Sequence, residues 1–147
     1  MNGQSPLTGD WRLRSWVSEA DDGSVVLPLG QAPVGILVYS PDGTMITTIA
    51  PAVRPPLTSG DALQGGPEDE RRQAAETFIA YSGRYVDDGT DVVHNVEMSL
   101  YPNWVGTRQV RHRRLSDDGE TLELSTDPLT VAGRRAVHRL TWERRRR

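Results

Sequence analysis

The residues best suited to chemistry are concentrated between positions 81 and 113, which hold two of the three histidines and three of the four tyrosines. Residues 91–101 are predicted to form a β-strand, and strand side chains alternate between two faces. One face is apolar except for a single histidine, and it consists of Val92, His94, Val96, Met98 and Leu100. This pattern is typical of a strand that lines a cavity containing one polar group.

A turn at Pro102 and Asn103 leads into a second predicted strand, on which Gln109 and Arg111 share a face. If that face meets the His94 face inside one barrel, the two form an apolar pocket with a few convergent polar groups. His94 is the first catalytic candidate, because the charge of histidine changes most readily near neutral pH. The alternative is a buried neutral histidine bonded to a neighbour.

Arg111 is the second catalytic candidate. A guanidinium in a low-dielectric interior binds a carboxylate or enolate oxygen strongly and in a fixed geometry. The alternative is a structural ion pair with a carboxylate such as Glu143 or Asp10. Glu97 lies on the face opposite His94, so those two side chains meet only if a bulge intervenes.

Ligand contacts are predicted for the polar and apolar side chains expected around these two groups. The tyrosines can equally be core residues whose hydroxyls bond a neighbour. The predicted contacts are Gln109, Tyr85, Tyr39, Val96, Met98, Trp104 and Tyr81.

Composition excludes several other functions. The net charge of −3 predicts no general affinity for nucleic acid or anionic membranes. All 17 basic residues are arginine, so no lysine Schiff base can form, and the absence of cysteine excludes thiolate catalysis. His112 and His138 lie in arginine-rich segments that we expect to be solvated. No pairing of the three histidines has metal-ligand spacing. With no phosphate-binding loop or nucleophile elbow either, we expect no metal and no cofactor.

The first residues lack a positively charged segment followed by an apolar one, and no apolar run approaches the length of a membrane span. A soluble cytoplasmic protein that contacts no membrane is therefore expected. The sequence leaves a homodimer open beside a monomer.

The chain of 147 residues predicts a single domain covering residues 1–147. Strands are predicted at 9–18, 24–29, 34–39, 44–50, 83–87, 91–101, 104–115, 120–126 and 134–143, mostly joined by glycine-containing turns. Alternation in the first strand places Trp11, Leu13 and Val17 on one face and Trp16 on the other. Eight or nine such strands predict an all-β fold, an antiparallel barrel with room for one small ligand.

Residues 51–82 interrupt this strand pattern. Residues 51–66 are rich in proline and glycine and predict a loop. Pro67 opens a helix whose first turn is acidic, and Ser82 and Gly83 are expected to end it. The helix spacing predicts one face packed on an open end of the barrel, so loop and helix together are expected to act as a lid.

Several motifs in the sequence resemble those of the bacterial and fungal lipocalin-like domain family, a group of small calycin-type barrels. They are Leu7-Thr8-Gly9-Asp10-Trp11, Tyr39-Ser40-Pro41-Asp42-Gly43 and Pro102-Asn103-Trp104-x-Gly106-Thr107-x-Gln109-x-Arg111. The resemblance implies a lipocalin-like barrel with Trp11 stacked against Arg144 at its closed end. It also implies a setting among natural-product tailoring proteins. Similar small barrels elsewhere act as cyclases and isomerases.

Two functions are therefore expected, and the first is preferred over the second. The first is a cofactor-independent enzyme that cyclises or isomerises an apolar, polyketide-like substrate, with His94 and Arg111 placed where negative charge develops. The alternative is a carrier that sequesters a small hydrophobic ligand unchanged. A barrel whose interior is filled by side chains would do neither.

Overall fold

The computed structural model describes residues 3–146, and these form ten strands, one α-helix and one short 3-10 turn. The strands are β1 Gly9–Glu19, β2 Val25–Val26, β3 Val34–Tyr39, β4 Thr44–Ala50, β5 Ile79–Asp87, β6 Asp91–Ser99, β7 Arg108–Leu115, β8 Thr121–Ser125, β9 Leu129–Val131 and β10 Arg134–Arg144. The helix α1 spans Glu68–Glu76, and the 3-10 turn spans Pro102–Trp104. Arg147, the end of the terminal arginine run, lies outside the described residues, as do Met1 and Asn2.

Eight of the strands close into an antiparallel barrel in the order β1-β3-β4-β5-β6-β7-β8-β10, and β10 pairs back onto β1. The short strands β2 and β9 extend the ladder beside β1 and β10. Closure pairs the long strands on both sides and removes free sheet edges. The predicted all-β, lipocalin-like barrel with a single α-helix is confirmed.

Several element boundaries differ from the prediction. Strand β7 begins at Arg108 and not at residue 104, which lies in the 3-10 turn. Strand β5 begins at Ile79, so Ser82 and Gly83 lie inside a strand and do not end the helix. The strand predicted at 24–29 is reduced to two residues, because a turn closed by the Gly30 N–H and the Leu27 carbonyl follows it (3.0 Å). Strand β9 was not predicted at all.

A β-bulge at Arg14 reverses the alternation of β1. Leu13 lies opposite Trp142 whereas Ser15 lies opposite Thr141, which leaves Arg14 as the extra residue. Trp16 is therefore buried in the barrel, although simple alternation placed it on the other face from Trp11.

A second bulge at Glu97 reverses the alternation of β6. Ser82 lies opposite Met98 and Gly83 opposite Val96, so Glu97 is the unpaired residue. His94 and Val96 point inward as predicted, but Met98 is 71% exposed. The predicted inward position of Met98 is wrong because the bulge intervenes before it.

The closed end of the barrel is sealed by Arg144 and Trp11. The guanidinium carbon lies 4.3 Å from the centre of the Trp11 ring, which confirms the predicted stacking. The same guanidinium donates hydrogen bonds to three carbonyl oxygens, those of Gly119 (2.9 Å), Thr8 (2.8 Å) and Pro6 (2.8 Å). The arginine thus ties the N-terminal segment and the β7–β8 turn to the barrel.

Replacing Arg144 by methionine should reduce the free energy of unfolding by about 3 kcal/mol, because it removes a cation–π contact and three charge-assisted hydrogen bonds. Denaturant unfolding of the wild type and the variant measures this change. Arg135→Met is the matched control, since among residues 3–146 the exposed Arg135 side chain has no hydrogen-bond or ion-pair partner. Equal stability of the two variants would contradict the sealing role of Arg144.

Helix α1 begins after Pro67 with the predicted acidic first turn, but no residue of the helix is buried. The expected packing of a helix face onto the barrel is therefore wrong. The helix is held by the preceding loop: Arg54 donates to the Ala74 carbonyl (2.9 Å), and the Thr58 hydroxyl donates to Glu70 (2.9 Å). These few exposed contacts leave the loop and helix weakly attached.

Candidate functional site

The barrel encloses a cavity of about 70 Å³ that is lined mainly by apolar side chains, Trp16, Trp104 and Trp142 among them. Its walls come from strands all round the barrel. The polar groups in the lining are Thr47, Tyr81, His94, Arg111, Thr126 and His138. His94 and Arg111 therefore face one interior space, as the strand patterns predict, and the barrel is not completely filled.

The cavity opens toward a larger vestibule of about 550 Å³ at the barrel mouth. Ile79, Trp104, Leu129 and Val131 border both spaces, and the C-terminal end of α1 borders the vestibule. An apolar cavity of about 150 Å³ holds one benzene molecule. A ligand of benzene's size or larger must therefore extend from the cavity into the vestibule or displace the four bordering side chains.

His94 lies at the back of the cavity between two tyrosines. Its Nε2 is 2.6 Å from the Tyr39 hydroxyl, and its Nδ1 is 2.8 Å from the Tyr81 hydroxyl. Burial lowers the pKa of His94 to about 3, and the positive charge of Arg111 acts in the same direction. The ring is therefore neutral near pH 7 with both nitrogens engaged, which favours the buried, bonded histidine over a proton-transferring one.

Arg111 enters the cavity from β7 without a counter-ion. Its Nη1 donates to the Val110 carbonyl (3.1 Å), and no carboxylate of residues 3–146 lies within ion-pairing distance. Glu143, considered as its structural partner, instead pairs with Arg14 at 2.6 Å. Arg111 is the single charged residue in the described lining of the cavity, so the cavity has a positive potential.

His138 is a site residue that the sequence reasoning missed. It was expected to be solvated, but it is 2% exposed and lines the cavity. Its Nδ1 accepts a hydrogen bond from the Trp16 indole (3.0 Å), and its Nε2 donates to the Leu129 carbonyl (3.3 Å). Burial is the main cause of its lowered pKa. Strand alternation in β10 could have predicted its burial, because His138 shares a face with Ala136, Leu140 and Trp142.

The other predicted contact residues divide into three groups. Tyr81 and Trp104 line the cavity, and Tyr39 lies directly behind His94. Four further residues are outside the cavity lining: Tyr85, Val96, Gln109 and Met98. Tyr85 donates to the Ser40 carbonyl (2.7 Å), Gln109 donates to the Thr107 hydroxyl (2.8 Å), and Val96 is a core residue. Met98 lies on the outer surface.

Among the described residues, no group of three or more His, Cys, Asp or Glu side chains is arranged to hold a metal ion. Within the same part of the chain, no helix has the length and apolar character that crossing a membrane requires.

Comparison with known proteins agrees with this geometry. The chain is 37% identical over 106 residues to the 4′-hydroxy-3′-methoxypropiophenone carrier protein of Aspergillus oryzae, an alignment that covers 65% of this chain and 94% of the relative. A family model described as a lipocalin-like domain matches residues 8–145, which is nearly the whole chain. The protein therefore belongs to the lipocalin-like domain family.

Proposed function

We propose that this protein binds a small, mostly apolar organic molecule inside the barrel and carries it unchanged. The observation that supports this most is an apolar cavity, open to a vestibule, whose two histidines are both neutral and hydrogen-bonded. Such a site shapes and shields a ligand but offers no free imidazole for proton transfer. The similar Aspergillus oryzae protein is named as a carrier, which favours this function over catalysis.

Aryl ketones with ring oxygens are the proposed ligand class. The relative's name specifies a propiophenone with hydroxyl and methoxy groups on its ring. A ring of this kind would place its polar end in the cavity and its remaining atoms between Trp104 and Val131 at the vestibule. Loop 51–66 and α1 would cover the vestibule as a lid, and their weak attachment would allow them to open.

Cyclisation or isomerisation is the second candidate function. It is favoured by Arg111, whose unpaired charge could stabilise a negative oxygen as it develops in a reaction. In this case Arg111 would be the catalytic group, and His94 would hold Tyr81 in place.

Binding and recovery distinguish the two candidates. We expect 4′-hydroxy-3′-methoxypropiophenone to bind in isothermal titration calorimetry and to be recovered unchanged by mass spectrometry. Ile79→Trp should block the mouth and weaken binding by at least about tenfold, since Ile79 borders both spaces and tryptophan is much larger. Val86→Trp, on the outer face of the same strand and 59% exposed, is the matched control and should bind normally.

The enzyme would be favoured over the carrier if this compound or a polyketide precursor were converted to a product. The conversion would have to be absent without the protein and slower with the Arg111→Met variant. Equal binding by the Ile79→Trp and Val86→Trp variants would place the ligand outside the barrel and contradict both candidates.

A further inference from the structure

The positions of the protons around His94 determine which tyrosine hydroxyl is free to contact a ligand. The Tyr39 hydroxyl is fully buried, and His94 Nε2 is its one partner in the described chain. An unsatisfied buried donor costs about 1–3 kcal/mol, so Tyr39 donates to Nε2. The neutral ring then carries its proton on Nδ1 and donates it to the Tyr81 oxygen. The Tyr81 hydrogen consequently has no acceptor along this chain of bonds, and Tyr81 lines the cavity.

Trp142 supplies a second donor without an acceptor. Its side chain is 2% exposed and lines the cavity, and its indole Nε1–H is the single buried side-chain polar atom without a hydrogen-bond partner among the described residues. Trp11 and Trp16, by contrast, donate to the Leu7 carbonyl and to His138. Buried polar groups are normally satisfied, so an unmet donor beside a cavity indicates a place for an acceptor.

Arg111 adds the third donor group and the charge. One of its terminal nitrogens bonds the Val110 carbonyl, which leaves most of its five N–H donors for other partners. Neither cavity histidine offers a free acceptor in exchange, because His94 Nε2 and His138 Nδ1 are both already occupied. The free polar capacity of this cavity is therefore dominated by donors and carries one positive charge.

We propose that the cavity selects molecules that present an ionised oxygen, a phenolate or an enolate, to the Tyr81 hydroxyl, the Trp142 indole and the Arg111 guanidinium. This selectivity rests on the proposed binding function and specifies its ligand class. A cavity of about 70 Å³ is small enough that the three groups surround one functional group. The apolar remainder of the ligand occupies the vestibule.

The titratable groups facing Arg111 do not neutralise it. They are Tyr39 from β3, Tyr81 from β5, His94 from β6 and His138 from β10. Burial raises the pKa of both tyrosines and lowers the pKa of both histidines, so all four are uncharged near neutral pH. The Arg111 charge lowers the pKa of each of the four. It should likewise lower the pKa of an acidic oxygen bound among them, against the raising effect of burial.

The test uses 4-nitrophenol, whose phenolate is yellow, and its methyl ether 4-nitroanisole, which cannot ionise. Each is titrated into the full-length protein by calorimetry, and the absorbance of bound nitrophenol is followed against pH. We expect the apparent pKa of nitrophenol to fall by about one unit on binding, which corresponds to about tenfold tighter binding of the phenolate than of the phenol. Arg111→Met should abolish this shift, because it removes the positive charge that favours the phenolate over the phenol.

Tyr81→Phe and Trp142→Phe should each reduce the shift in part, while Arg108→Met, an exposed arginine on the same strand, should leave it intact. Binding of both probes with no shift in the wild type would overturn the selectivity and leave the carrier function standing. A shift that persists in Arg111→Met would also overturn it. Failure of both probes to bind, together with failure of the propiophenone, would overturn the proposed function itself.

Discussion

Replacing Gly83 by alanine will lower the melting temperature by about 10 °C or more, or prevent folding, because a methyl group at this position has no space. A Cβ atom there would clash with the Asn95 carbonyl oxygen and would lie 3.0 Å from the Glu97 nitrogen. Both are backbone atoms of the neighbouring strand, so relief requires moving β6 away from β5. That movement breaks the ladder beside the Glu97 bulge, at an expected cost of at least about 3 kcal/mol.

Gly60→Ala is the control for this change. A Cβ at Gly60 would meet no atom within 4 Å, and the backbone there is outside the left-handed region. We expect its thermal transition, followed by circular dichroism, to match the wild type. A Gly83→Ala variant that melts within about 2 °C of the wild type would contradict the close approach of β5 and β6.

Acidification will destabilise the protein between about pH 6.5 and pH 3, and His94 will account for much of the loss. Folding lowers the pKa of His94 from an ordinary 6.5 to about 3, so between these values the unfolded chain binds a proton that the folded chain does not. The free energy of unfolding therefore falls as the pH falls through this window. A shift of this size corresponds to a loss of about 5 kcal/mol by pH 3.

His94→Gln tests this assignment, since glutamine does not titrate. Measured by denaturant unfolding at a series of pH values, the variant should be less stable than the wild type at pH 7 but should lose less stability on acidification. His138 acts in the same direction as His94, and the carboxylates common to both proteins cancel in the comparison. If the wild type and His94→Gln lost the same free energy of unfolding on acidification, His94 would not be buried in a neutral form.

His112→Gln provides the opposite control. Hydrogen bonds to Asp127 and Asp91 raise the pKa of His112. Its stabilising contribution is therefore present at low pH and is lost as the pH rises through the raised pKa. The His112→Gln variant should therefore still lose stability on acidification, as the wild type does.

The barrel could be predicted from the sequence because closely spaced turns and two-residue alternation are local properties. Alternation also placed His94 and Arg111 in one interior, although they belong to different strands. It failed wherever a bulge inserts one residue: after Arg14, where Trp16 turns inward, and after Glu97, where Met98 turns outward. Gly83 marks the second bulge, but its need for space depends on Asn95 across the ladder and not on its own neighbours in the chain.

The interior positions of His94 and Arg111 could be predicted from the sequence, but the atoms that their side chains bond could not. The hydrogen bonds of His94 are made with Tyr39 and Tyr81, which come from two other strands. Because both ring nitrogens are bonded to these hydroxyls, His94 is a fixed neutral ring and not a free base. His138 was assigned to solvent from its arginine neighbours, although the two nearest in β10, Arg139 and Arg135, lie on the other face of the strand. The catalytic roles of His94 and Arg111, the ligand contacts and the single-domain boundary stay predictions.

The indole N–H resonances of the four tryptophans test most directly whether the ligand lies inside the barrel. In a ¹H–¹⁵N correlation spectrum assigned with Trp142→Phe, saturation with 4-nitrophenol should move the Trp142 resonance downfield as its N–H gains an acceptor. The Trp11 resonance, bonded to the Leu7 carbonyl at the closed end (2.8 Å), should not move. An unchanged Trp142 resonance in a sample that calorimetry shows to be saturated would contradict binding in the interior.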